Sequence, residues 1–125
     1  MSKILTVCCQ GLVRSVALAD VLKLHFEPVD VIPVGYSENA NSEETLVILC
    51  DWADYIIVME KHIKERLAER VGLVYLSNFS VFTCEVGPDT YGGKHNRRDI
   101  LIDKVWRWVR VNQHLLDIKE HTKKL

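Results

Sequence analysis

From Lys3 to Val7 the chain is almost continuously apolar, and beyond Arg14 the apolar positions change to helical spacing at Val16, Leu18, Ala19, Leu22 and Phe26. A short continuous run of β-formers predicts a strand covered on both faces, and a 3.6-residue period predicts an amphipathic helix. Glu27-Pro28 stops that helix, because the residue before a proline is pushed out of the helical region. The alternation then repeats. Val29 to Val34 reads as a strand ended by Gly35, and a helix opens at Ser42 and ends near Asp54, with Leu46, Leu49, Cys50 and Ala53 on one side. Tyr55 to Met59 is a strand, Lys61 to Val71 a helix with Ile63, Leu67 and Val71 as its stripe, and Gly72 its stop. Phe79 to Val86 supplies a fourth strand, and a last helix begins near Asn96 or Asp99. Four strands alternating with helices predict an α/β fold, a four-stranded parallel sheet with helices on both faces. In such sheets ligands sit beyond the carboxyl ends of the strands, which is where the loops carrying Cys8 and Asp89 fall.

Composition narrows this picture. A chain of 125 residues suits one domain over residues 1–125, and a net charge of -1 argues against a general nucleic-acid or membrane-surface binder. The start at Met1-Ser2-Lys3 lacks the apolar core of a signal peptide, and no run approaches the length that spans a bilayer. A cytoplasmic location is expected, with Cys8, Cys9, Cys50 and Cys84 as thiols. Their scattered placement forms neither a disulfide framework nor paired zinc knuckles, so no metal or cofactor is expected.

The candidate chemistry lies between the first strand and the first helix, in Cys8-Cys9-Gln10-Gly11-Leu12-Val13-Arg14-Ser15. A cysteine and an arginine six positions apart leave a loop able to curl its backbone N–H groups around one tetrahedral anion at a helix N-terminus. Such a turn needs an unusual backbone conformation, which Gly11 adopts without steric cost. Arg14 offers a planar fork to two phosphate oxygens, and Ser15 places a hydroxyl where it can donate to a thiolate. The bland alternative is a buried cysteine at a strand end. The strand, glycine loop and helix together favour a nucleophile.

These residues, with Trp52 to His62 and Gly87-Pro88-Asp89-Thr90-Tyr91, resemble the low-molecular-weight protein tyrosine phosphatase superfamily, in particular its short predicted tyrosine-phosphatase branch. The resemblance implies that Cys8 attacks phosphorus to form a phosphocysteine and that Arg14 holds the equatorial oxygens. Asp89 would protonate the leaving phenolate and then activate water, without a metal. It implies a phosphotyrosine protein or aryl phosphate as substrate and inorganic phosphate as product. Two departures stand out. The family loop commonly has glycine and asparagine where this chain has Gln10 and Gly11, and its late motif runs Asp-Pro-Tyr where this chain has Pro88 before Asp89 and Tyr91 one position further on.

Tyr36 and Tyr91 fall in loops expected to border the pocket, where an aromatic wall suits an aryl ring. His62 follows the third strand and reads more simply as a solvated helix start. Cys9 is expected to contribute its N–H and line the mouth, since vicinal cysteines form strained disulfides. Two other functions compete. A phosphate- or phosphoprotein-binding module would keep the loop and lose the acid. An arsenate reductase-like enzyme would need a late cysteine pair, and only Cys84 is at hand.

Overall fold

The computed structural model describes residues 1–88, 91 and 97–121. Strand β1 (Ser2–Cys8) is the centre of a four-stranded parallel sheet. It pairs with β3 (Val29–Gly35) on one side, Cys8 opposite Gly35, and with β4 (Tyr55–Val58) on the other, Val7 opposite Val58. Strand β5 (Ser80–Thr83) completes the sheet beyond β4, giving the order β3-β1-β4-β5. Six of the seven residues of β1 are buried, as a strand covered on both faces requires. This order reverses direction at β1 and β4, so the crevice expected to hold a ligand opens between their carboxyl ends.

Helix α1 (Arg14–His25) packs on β1, β3 and α5 (Arg98–Asn112), while α2 (Glu43–Trp52) packs on α3 (Lys61–Val71) and β1. The Oγ of Ser42 accepts a hydrogen bond from the Thr45 N–H at 3.1 Å, so the expected helix start is its cap, and Glu43 and Glu44 follow in the first turn. Among the described residues no helix is long and apolar enough to cross a membrane.

Several elements differ from the sequence reading. The first helix ends at His25, because Phe26 turns extended, and Phe26–Glu27 (β2) pairs antiparallel with Lys119–Glu120 (β6). The buried ring of Phe26 lies 5.4 Å from that of Trp106, which gives the turn an apolar anchor. A short helix α4 (Leu73–Leu76) follows Gly72, and a 3-10 turn (Gln113–Leu116) follows α5. The fourth strand stops at Thr83 rather than Val86. Its partner β4 ends at Val58, whose carbonyl takes the Cys84 N–H at 2.8 Å, and the Met59 N–H turns instead to the Val7 carbonyl.

Residues two apart on α1 face different surroundings: Leu22 is fully buried and Leu24 is 64% exposed. Leu22→Ala is expected to cost about 2–5 kcal/mol and Leu24→Ala less than about 0.5 kcal/mol. Urea unfolding checks this, with equal slopes and separated midpoints as the expected result.

Candidate active site

The end of β1 delivers Cys8 to the crevice with its side chain buried. The chain then folds back. The Gly11 N–H donates to the Cys8 sulfur at 3.2 Å, and the Ser15 Oγ lies 3.1 Å from the same sulfur. Donors aimed at a sulfur stabilise negative charge on it. Ser15 is fully buried, and Thr6 Oγ1 donates to its carbonyl at 2.9 Å, locking the first turn of α1 to β1.

Gly11 has φ +75°, the left-handed conformation that lets its amide face the sulfur. It also lies against Gly35: a Cβ on Gly11 would fall 2.6 Å from the Gly35 nitrogen, and a Cβ on Gly35 would fall 2.4 Å from the Gln10 carbonyl carbon. The loop is tied to the end of β3 by the Tyr36 N–H to the Cys8 carbonyl and the Ser37 N–H to the Cys9 carbonyl, both 3.0 Å. Asn41 Nδ2 donates to the Gly35 carbonyl at 2.9 Å, and Arg70 donates to the carbonyls of Tyr36 and Asn41. These bonds brace the end of β3 and the turn after it, against which the loop rests.

Helix α1 begins at Arg14 without a side-chain cap and without an acidic residue in its first turn. The first N–H groups of a helix have no acceptor within it, and its positive dipole end suits an anion. The Arg14 side chain is 4% exposed. Its Nη1 donates to the carboxylate of Glu60 and, at 3.0 Å, to the Gly87 carbonyl, while its Nε is buried without a partner among the described residues. A buried guanidinium nitrogen with no acceptor is costly, and a phosphate oxygen is an acceptor suited to it.

Of the other loop residues, Gln10 and Leu12 are exposed, and Cys9 and Val13 are half-buried. Tyr36 is half-buried beside Cys9; burial raises its phenol above the ordinary value, a hydrogen bond and charge interaction with Cys9 add to this, and Arg66 and Arg14 oppose it. Tyr91 is placed differently from a pocket wall. It is 3% exposed, its hydroxyl donates to the Val86 carbonyl, and Lys104 Nζ donates to that hydroxyl at 2.8 Å. Asp89 lies outside the described residues, but Gly87, two positions before it, touches Arg14.

The sequence reading passed over Glu60, Gly35 and Arg70. Glu60 could have been found from the topology, because it follows β4 at the reversal of strand order. Cys50 and Cys84 are fully buried free thiols; burial pushes Cys50 up to about 11 and raises Cys84 as well.

No family model matches this sequence, and no curated protein matches it. Solved structures do. The arginine phosphatase YwlE from Geobacillus stearothermophilus is 18% identical over 92% of this chain and 95% of its own, with a TM-score of 0.63. The low-molecular-weight protein tyrosine phosphatase SP-PTP from Streptococcus pyogenes is 16% identical over 92% and 97%, with a TM-score of 0.61. A protein tyrosine phosphatase from Entamoeba histolytica is 20% identical over 92% and 98%, with a TM-score of 0.60. The chain has the fold of these phosphatases.

The contact of Gly35 with Gln10 leaves no room for a methyl group, so Gly35→Ala is expected to cost about 1–3 kcal/mol and to open the loop. Urea unfolding and the alkylation rate of Cys8 measure the two effects. A faster Cys8 reaction with Cys50 and Cys84 still unlabelled is the expected result; an unchanged midpoint and rate would show that the loop does not rest on β3.

Proposed function

We propose that this chain is a cysteine-dependent phosphomonoester hydrolase acting on aryl phosphates of the phosphotyrosine type through a phosphocysteine intermediate. The observation that carries the reading is the Nε of Arg14, buried without a partner among the described residues on a guanidinium held from its other side, at the N-terminus of α1 six positions after Cys8. That combination asks for a tetrahedral anion next to a nucleophile.

In the first step the Cys8 thiolate attacks phosphorus and the bond to the phenolic oxygen breaks, with Asp89 giving its proton to the leaving oxygen. The loop N–H groups and Arg14 take up the charge that spreads over the equatorial oxygens. In the second step water attacks the phosphocysteine and gives a proton to Asp89. Inorganic phosphate leaves, and the sulfur returns as a thiolate that the Gly11 N–H and Ser15 hydroxyl are placed to receive. The names of the solved neighbours support phosphoryl chemistry and divide over the leaving group, one being an arginine phosphatase and others tyrosine phosphatases. An arsenate reductase-like role is opposed by Cys84, whose buried thiol is a poor resolving nucleophile.

Hydrolysis of p-nitrophenyl phosphate, with phosphoarginine beside it, tests the proposal. Cys8→Ser and Arg14→Ala are expected to fall to background, Cys9→Ser to stay within about threefold, and Asp89→Ala to lose about 10²–10⁴-fold. Phosphoarginine as the better substrate would change the leaving group and keep the loop chemistry. No turnover, with phosphate still protecting Cys8 from alkylation, would leave a phosphate-binding module instead.

A further inference from the structure

Helix α3 carries a row of cationic side chains away from the crevice. His62, Arg66 and Arg70 recur every four positions, which stacks them along one face of the helix. The row starts at the site itself, because His62 Nδ1 lies 3.0 Å from the Glu60 carboxylate that also accepts from Arg14. It ends at Arg70, whose guanidinium is committed to the carbonyls of Tyr36 and, at 3.0 Å, Asn41. Between the two stands Arg66, with its side chain 56% exposed.

Arg66, Glu69 and Arg70 form one wall of a surface cavity of about 360 Å³, and Tyr36, Ser37 and Glu38 form the other. Tyr36 belongs to the crevice as well, since its amide donates to the Cys8 carbonyl and its phenol lies beside Cys9. Of the charged side chains that line the cavity, Arg66 is the one whose charge acts on that phenol, together with Arg14 from the crevice. The hold on Arg66 is weak. Its Nη1 donates to Glu69 at 3.3 Å, three positions along the same helix, and both side chains are largely exposed. Such a pair contributes little to stability, and a carboxylate entering the cavity can take the planar fork from it by a two-point contact.

We propose that this cavity is a substrate subsite, in which Arg66 binds a carboxylate side chain close in sequence to the phosphotyrosine and Arg70 braces the opposite wall. This rests on the phosphatase reading above and narrows its substrate to phosphotyrosine segments with an acidic neighbour. The spacing suits such a segment. From His62 to Arg66 the helix rises about 6 Å, a distance that an extended peptide covers in about two residues. Glu69 is then an internal competitor that the substrate displaces. A carboxylate bound this far from phosphorus is held equally in the ground and transition states, so its benefit appears in KM and leaves kcat level.

The test is steady-state hydrolysis of short alanine peptides centred on phosphotyrosine, with one glutamate, or the isosteric glutamine, placed in turn at the three positions on either side. The readout is the ratio of kcat/KM for each glutamate peptide to its glutamine twin, so a general change in activity cancels. A ratio of about 3–10 at one or two neighbouring positions, carried by KM, is expected for the parent. Arg66→Ala is expected to bring it to about one, and Glu69→Gln to raise it about twofold by releasing the fork. Lys64→Ala removes the same charge from another face of α3, beside Leu73 and Phe79, and is expected to keep the ratio. An active parent with no favoured glutamate position, a preference carried by kcat, or one that survives Arg66→Ala or falls equally in Lys64→Ala overturns the subsite alone. A parent without Cys8-dependent turnover of any peptide overturns the phosphatase reading, and this inference with it.

Discussion

The loop after β1 depends on two backbones passing each other at Gly11 and Gly35 with no room for a side chain between them. The approach seats the loop on the carboxyl end of β3, which lets the Tyr36 and Ser37 amides take the Cys8 and Cys9 carbonyls. With the outward carbonyls satisfied there, the Gly11 amide is free to face the Cys8 sulfur. The loop is therefore shaped before any ligand arrives. Preorganised donors do not have to be oriented at the moment of reaction, which is why they lower a barrier more than mobile ones.

Topology brings the remaining parts together. Reversal of strand order at β1 and β4 places the ends of these strands side by side, so Cys8 at the end of β1 and Glu60 just beyond β4 lie on the same edge although distant in sequence. The end of β5 adds Gly87, whose carbonyl meets the same Arg14 nitrogen as Glu60. Arg14 is thus the point where three loops meet, and its burial follows from having to satisfy partners on two of them. Nε is what remains over, and among the described residues it has no partner.

Much of this was legible in the chain because the signals were local. The continuous run of Lys3 to Val7, the glycine turn and the helical spacing from Arg14 lie within one stretch and agree with one another. Glu60 was not legible, since a glutamate before Lys61 and His62 reads as any charged helix start, and only the pairing of β1 with β4 reveals where it sits. Gly35 read as the end of a strand, and its closeness to Gln10 is a contact across 25 positions that no periodicity records. The β2–β6 ribbon has two residues in each strand, too short to show alternation. Tyr91 read as a loop aromatic because its hydroxyl is held by the Val86 carbonyl and by Lys104, the latter reaching it only through the packing of α5.

The placement of Tyr91 bears on the departure of the late motif from the family order. Gly87 is held at one end by Arg14, and Tyr91 is held at the other by its buried hydroxyl, with Lys104 of α5 donating to it. Pro88, Asp89 and Thr90 span the interval between these two anchors. The two anchors fix Gly87 against the start of α1 and Tyr91 against α5. Proline restricts its own φ, and the left-handed Gly87 before it, at φ +82°, sets the direction in which the segment leaves Arg14. Gly87 and Tyr91 are consequently placed by Arg14 and α5 together, so that the guanidinium at the start of α1 also fixes where the chain leaves β5 for the last helix.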